Sequence, residues 1–509
     1  MKPQQVESAN VILDSAAPGG ESRHFKRALN LFDSTMIVVG SMIGSGIFIV
    51  SADIARTVGS AGLLLLVWAF TGVVTLIGAL SYGELAGMMP HAGGIYVYLR
   101  EAYSSLVAFL FGWTLFLVIQ TGTVAAVAVA FAKFAGVLVP WVGESNILIS
   151  AAGRTVSAAQ ILAIAAVAFL TYINLRGVRS GKLVQNFFTV IKFAILMGFI
   201  ALGFFLGSNA TAIKANLGAF WKGSWTHLAA GRVVGVEPLS GLMILAAIGA
   251  AMVGSLFSSD AWYDITYAAG EIIKPKRTIP LSLFLGTLTV SLIYLLTNVA
   301  YVLTLPVAGR PDASGALERG IQFALSDRVG TAAASVMFGQ PAEIIMAVLV
   351  MISTFGCING LILAGARVYY VMARDGLFFR QAGRLNNRSV PGVALVLQGI
   401  WAALLCLSGT YSQLLDYVIF AVLIFLSLTV GGLFILRRKK PQAERPYRAF
   451  GYPVIPALYI LIALGISVDL LVFKPGYTWP GLAIVMLGVP VFFIWRSLSR
   501  PSSAPDAKS

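Results

Sequence analysis

The sequence predicts an all-α membrane protein: twelve transmembrane helices in two inverted repeats of five, with helices 1 and 6 broken. Three observations predict it. Of 509 residues, 58% are hydrophobic and 11% charged, against a charged share of about 25% in soluble proteins. Apolar windows of about 20 residues, the length that crosses a hydrocarbon core, fall near 35–54, 62–82, 104–136, 157–175, 182–206, 239–268, 281–305, 340–366, 391–409, 414–436, 453–472 and 478–497. The first and sixth windows are interrupted by glycine, serine and aspartate.

Residues 1–34 hold no apolar run of the kind a cleaved signal carries and are expected as a polar tail. The first span then reads Gly40-Ser41-Met42-Ile43-Gly44-Ser45-Gly46-Ile47-Phe48 at its centre. Glycine costs about 1 kcal/mol per residue against alanine inside a helix, and lipid offers no partner to a freed backbone amide. The break should therefore face a cavity within the protein. Gly44 to Gly46 lie roughly 15 Å past Thr35 along a helix, near the midplane of a core about 30 Å thick. A helix interrupted there presents unpaired amides and the positive end of a half-helix to an anion. A helix-packing face of small residues is the alternative reading of one such pattern alone.

The segment from Pro90 to Tyr103 is aromatic for a connector and is expected to pack against the inner mouth, with His91 a structural loop residue. The third span is long enough to tilt and carries Gln120, Thr121 and Thr123 at membrane depth. Lys192 lies about ten residues inside the fifth span, where a lysine costs roughly 3 kcal/mol on an insertion scale. Its ammonium must find carbonyl or carboxylate partners in the bundle. The sixth span holds the second break, Gly254-Ser255-Leu256-Phe257-Ser258-Ser259-Asp260-Ala261-Trp262-Tyr263-Asp264. Corresponding breaks in two halves of five spans point to an inverted-repeat secondary transporter whose site lies where the breaks meet. On that reading 35–206 is the first repeat, 239–436 the second, 453–497 holds spans 11 and 12, and 498–509 is a C-terminal tail. The connections 207–238 and 306–339 are the longest, and the second reads as short amphipathic helices forming a lid.

The net charge of +15 is not a nucleic-acid signal, because its distribution follows the membrane. With the N-terminus cytoplasmic, 25 of the 36 Lys and Arg fall on or toward that side, 10 on or toward the other and one, Lys192, deep within a span. Basic loops stay inside, so both termini are expected in the cytoplasm of a multi-pass cell-membrane protein. Cys357 and Cys406 fall in helices and no cysteine lies in an outer loop, so no disulfide-linked heavy subunit is expected.

Ile43-Gly44-Ser45-Gly46-Ile47-Phe48, Gly94 with Tyr98-Leu99-Arg100-Glu101-Ala102-Tyr103, Lys192, Phe257 to Trp262, Ala269-Gly270-Glu271-Ile272-Ile273-Lys274-Pro275 and Arg445-Pro446-Tyr447 together resemble the amino acid, polyamine and organocation permeases. Within that superfamily they are most similar to the L-type amino acid transporter branch, bacterial members included, over roughly residues 30 to 495. The resemblance implies a LeuT-like arrangement. It implies that amides of Ser45, Gly46 and Ile47 hold a substrate carboxylate, with Gly44 permitting the turn. Carbonyls of Ile43, Phe257 and Ser258 would hold the α-amino group, with Ser259 beside them and Phe257 as an occluding gate. Where many members read Gly-Trp-Asn, this chain has Ala261-Trp262-Tyr263, with Asp264 following. Asp260 either caps a half-helix or faces the substrate side chain and selects a cationic amino acid. Sodium-independent members carry a lysine at the position of Lys192, which implies an ammonium in place of a coupling ion; carbonyls near Met42 and Ile43, with Thr354 or Asn359, are its expected partners.

The expected function is sodium-independent secondary transport of α-amino acids by alternating access, as exchange or proton-linked uptake. The alternatives are a cationic amino acid or polyamine antiporter and, from a different class, a non-transporting amino acid sensor. An enzyme is not expected. His24, His91 and His227 are far apart, and neither His-Glu-x-x-His nor Gly-x-Ser-x-Gly occurs. Gly177-Val178-Arg179-Ser180-Gly181-Lys182-Leu183 misses the phosphate-loop spacing and its hydroxyl residue. No cofactor or metal is called for; the partners are an amino acid and the lipid bilayer.

Overall fold

The computed structural model describes residues 25–151, 154–229, 232–407, 411–473 and 475–498. The expected tails 1–34 and 498–509 are described only from Phe25 and to Leu498, so Lys2, Arg23, His24, Arg500 and Lys508 lie outside the described residues.

Helix α1 (Leu31–Met42) starts at Asn30, whose side chain takes the Asp33 amide at 2.9 Å while Asp33 returns a bond to the Asn30 amide at 3.0 Å. This reciprocal cap satisfies two orphan donors. The chain leaves helical geometry at Ile43 and resumes as α2 (Gly46–Ile49) and α3 (Ser51–Val58). There follow α4 (Ala61–Met88), α5 (Ile95–Ala102), α6 (Ser105–Thr114), α7 (Gln120–Leu138), α8 (Ala158–Leu175), α9 (Val178–Phe205) and α10 (Ala210–Gly218). A π turn at Leu115–Ile119 joins α6 to α7 into one long span, and the Thr121 hydroxyl donates to the Phe116 carbonyl across it at 2.6 Å. The second half runs α11 (Leu242–Ser258), α12 (Pro275–Thr304), α13 (Ala316–Arg319), α14 (Val329–Phe338), α15 (Ala342–Arg374), α16 (Gly392–Cys406), α17 (Tyr411–Lys439), α18 (Val454–Phe473) and α19 (Pro475–Leu498).

Ten helices among the described residues are long and apolar enough to cross a membrane. The remaining two expected spans, 239–268 and 391–409, hold the shorter apolar helices Leu242–Ser258 and Gly392–Cys406. Large apolar side chains point outward, Phe205 at 85%, Leu242 at 83% and Leu183 at 73% exposure. That much uncovered apolar surface belongs against lipid.

The expectation of helices alone is corrected in the connections. Strand β1 (Ile147–Ala151) pairs antiparallel with β2 (Arg154–Ser157), and β3 (Ser224–Ala229) with β4 (Arg232–Pro238). Both hairpins are rich in β-branched and aromatic residues, which suit a half-exposed pleated ribbon. The lid expected at 306–339 does contain short helices, α13 and α14.

The bundle is laced at both ends. At the face where α1 begins, Leu29 pairs with Ile272, Lys182 meets Asp33 at 2.8 Å, and Arg100 meets Asp375 at 2.5 Å. There also Glu84, with no exposure, takes Arg437 at 2.5 Å and Arg445 at 3.1 Å. At the opposite face, Arg56 at the end of α3 bonds Asp327 at 2.7 Å and the Gln322 carbonyl at 2.8 Å, so the connection 306–339 is tied to the second half of the broken helix.

Candidate functional site

The 12 residues of α1 rise about 18 Å, so Ile43 to Ser45 lie roughly that far from its first turn. Ile43 is extended, with φ −78° and ψ 96°. The amides of Gly46 and Ile47 open α2 without a preceding helical turn, that of Phe48 bonds the Ser45 carbonyl at 3.1 Å, and the carbonyls released at the break are each taken by a side chain. Lys192 of α9 donates to Gly40 at 2.6 Å and to Ile43 at 2.7 Å, with Ser353 of α15 at 3.4 Å. The Ser353 hydroxyl donates to Gly44 at 2.9 Å, and the Cys357 thiol to Ser41 at 3.0 Å. Lys192 is 1% exposed, so its charge is held by backbone dipoles inside the bundle, without a carboxylate in salt-bridge range among the described residues.

The partner list differs from expectation at two places. Gly40 stands where a carbonyl near Met42 was expected, because the Met42 carbonyl takes the Tyr294 hydroxyl at 2.9 Å. Ser353 stands where Thr354 or Asn359 was expected. One helical residue is a rotation of about 100°, and Thr354 turns back to Val350 while Asn359 donates to Gly181 and Gln185.

The second break meets the first directly. Helix α11 stops at Ser258; Ser259, Asp260 and Ala261 follow, and the chain resumes as a 3₁₀ turn at Trp262–Thr266. A Cβ built on Gly46 would lie 2.2 Å from Ser258 Oγ and 3.2 Å from Ser258 Cα, so only glycine lets α2 approach the end of α11. Gly44 is less confined, its nearest neighbour being Cys357 Sγ at 3.3 Å. Tyr294 of α12 spans both gaps, its hydroxyl lying 2.9 Å from the Met42 carbonyl and 3.0 Å from that of Ser258. Nothing in its sequence setting marks this tyrosine among the chain's others.

Ile43, Gly44, Ser45, Gly46, Ile47, Phe257, Ser258 and Ser259 thus form one buried neighbourhood around the two breaks. Asp260 faces elsewhere. It lines a small cavity with Val74, Leu423 and Tyr459, to which neither α1 nor α2 contributes. Its carboxylate lies beside the Ala261 amide and the Tyr263 side chain, at the start of the turn. Asp264 is held by Gln120, whose amide donates to it at 3.0 Å and to the Leu361 carbonyl at 2.9 Å, joining α7, the turn and α15. Deeper toward the face where α1 begins, Glu271 and Arg367 form a pair with both side chains 1% exposed, N–O 2.9 Å. No group of three metal-ligating side chains occurs among the described residues.

What the geometry brings together is the start of α2 and the end of α11, helix-end amides beside carbonyls, buried where the two breaks touch. The family model for amino acid permeases matches residues 29–495. The large neutral amino acids transporter small subunit 2 of Rattus norvegicus is 30% identical over 480 residues, covering 94% of this chain and 82% of the relative. The b(0,+)-type amino acid transporter 1 of Homo sapiens is 29% identical over 493 residues, 94% and 91% covered. The Asc-type amino acid transporter 1 of Mus musculus is 29% identical over 485 residues, 93% and 82% covered.

Proposed function

Since the chain belongs to the amino acid permease family, a family of transporters and not of enzymes, we propose that it carries α-amino acids across the cell membrane by sodium-independent secondary transport. The substrate lies between the breaks, its carboxylate on the amides of Ser45, Gly46 and Ile47 and its ammonium on carbonyls of Phe257, of Ser258, shared with the Tyr294 hydroxyl, and of Ile43, shared with Lys192. The contact of Gly46 with Ser258 carries this reading, because it brings a helix start and a helix end, positive and negative dipole poles, within one ligand's length. The twelve apolar helices form a LeuT-like pair of inverted five-helix repeats, 35–206 and 239–436, with two helices after them. Both termini are cytoplasmic, in keeping with the distribution of Lys and Arg.

Lys192 supports sodium independence, since its ammonium already occupies the carbonyls of the first break. The position of Asp260, turned toward α4, α17 and α18, gives the cationic-substrate alternative no support. Some of the relatives are named small subunits. Any association of this chain with a larger subunit rests on noncovalent contact, because Cys357 and Cys406, its two cysteines, are buried.

Uptake and counterflow of a labelled amino acid panel in liposomes tests the reading. Accumulation or exchange of α-amino acids with choline replacing sodium is expected, and equal competition by an amino acid and its methyl ester would displace the carboxylate from the first break.

A further inference from the structure

A cavity of about 650 Å³ lies apart from the breaks, between α13, α14 and the start of α15. Pockets of roughly 300–1,000 Å³ hold small molecules. Its charged lining is Arg319, Arg328 and Glu343, with hydroxyls of Ser314, Thr331 and Ser335 between them. Arg328 is the informative residue. Its side chain is 17% exposed and stacks over Phe134 with 5.0 Å between its guanidinium carbon and the ring centre. Only a long contact of 3.5 Å joins it to Glu343, itself 59% exposed, and the buried Nε has no partner among the described residues. A buried donor without an acceptor costs about 1–3 kcal/mol, so a guanidinium placed there calls for an anionic group from a ligand. Glu343, on the rim, offers the opposite charge.

We propose that this cavity is a second binding site, in which the carboxylate of an α-amino acid zwitterion bonds Arg328 and its ammonium bonds Glu343. The neighbour of Arg328 in sequence, Asp327, is the residue that holds Arg56 at the end of α3. Gly330 of the same segment sits against Phe48, with 3.0 Å between its built Cβ and Phe48 Cδ1. A ligand on Arg328 therefore bears on the segment that clamps α2 and α3. The choice of an amino acid rests on the transport reading, which puts this face toward the solute; the site itself rests on the cavity.

The test is equilibrium binding of radiolabelled glycine to the full chain in lipid nanodiscs. Glycine has no side chain, so it probes the zwitterion alone. In a Gly46→Val background, which blocks the central site, glycine binding is expected to persist. Adding Arg328→Gln should weaken it by about tenfold or more, the loss of one charge-assisted contact. Arg328→Lys should give an intermediate loss, as it keeps the charge without the fork, and Glu343→Gln, at an exposed position, guards against a folding artefact. Acetate and methylamine should compete poorly. Unchanged glycine affinity in the Arg328 and Glu343 variants, or no binding in Gly46→Val, would overturn the proposal. Stronger displacement by phosphoethanolamine than by glycine would also overturn it, making the cavity a lipid-headgroup seat. Failure of the transport reading shows separately, as absence of uptake by wild-type protein that still binds glycine.

Discussion

The ammonium of Lys192 lies 2.7 Å from the carbonyl oxygen of Ile43 and 2.6 Å from that of Gly40, so the fifth span is tied to the gap in the first. On the proposed reading the lysine stands where a monovalent cation would use the same oxygens. Transport is therefore expected with choline in place of sodium. Lys192→Ala should lower it by tenfold or more, about 1.4 kcal/mol or greater in activation free energy, because two charge-assisted bonds at the break are lost. Uptake by wild type and mutant in both salts checks this. A sodium requirement in the wild type, or normal transport by the mutant, would remove Lys192 from this role.

The two glycines of the first break should behave differently. Gly46 abuts Ser258 so closely that a Cβ would have to displace it, whereas at Gly44 the nearest atom is a thiol at 3.3 Å. Gly46→Ala is expected to remove transport and Gly44→Ala to retain part of it, with similar amounts of both proteins in the membrane. Reversal of that order in an uptake assay normalised to surface protein would count against contact between the breaks as the basis of the site.

The breaks were legible in the sequence because glycine, serine and aspartate at membrane depth have few physical excuses. Lys192 was legible for the same reason. Tyr294 and Ser353 were not. A tyrosine can sit in any buried span, and choosing between Ser353 and Thr354 needs the rotation of α15, which its nearly uniform apolarity leaves undefined. The two hairpins were missed because short strands in a connector give little periodicity to read, and the sixth span was read as longer than α11 because Trp262, Tyr263 and Ile265 of the 3₁₀ turn continue its apolar run.

Ala261 has φ of +64°, a conformation that costs a residue with a Cβ about 1–2 kcal/mol and glycine little. The substitution Ala261→Gly should relieve most of that cost. A rise in melting temperature of a few degrees is expected, with binding retained, in a fluorescence melt of the purified protein. A fall would mean that the Ala261 methyl, 5% exposed, contributes more by packing than its backbone loses.

The pair of Glu271 and Arg367 joins the end of the second break to α15, and the backbone around it holds the segment just before α1. The Glu271 carbonyl takes the amides of Ala28 and Leu29 at 2.8 and 3.0 Å, and the Ile273 amide returns to Leu29 at 2.8 Å. Both side chains are out of water. Removing one partner of such a pair leaves an uncompensated buried charge, a cost of about 3–5 kcal/mol, while replacing both with apolar groups of similar size is often neutral. Arg367→Met alone and Glu271→Leu alone should therefore destabilise strongly, and the double replacement should recover much of the loss. Melting curves of the four proteins measure the coupling. Additive losses in the double variant would mean that the two residues act through separate neighbours. Recovery of stability without recovery of transport would assign the pair to opening and closing the end of the bundle where α1 begins, the movement that alternating access would require of the segment it anchors.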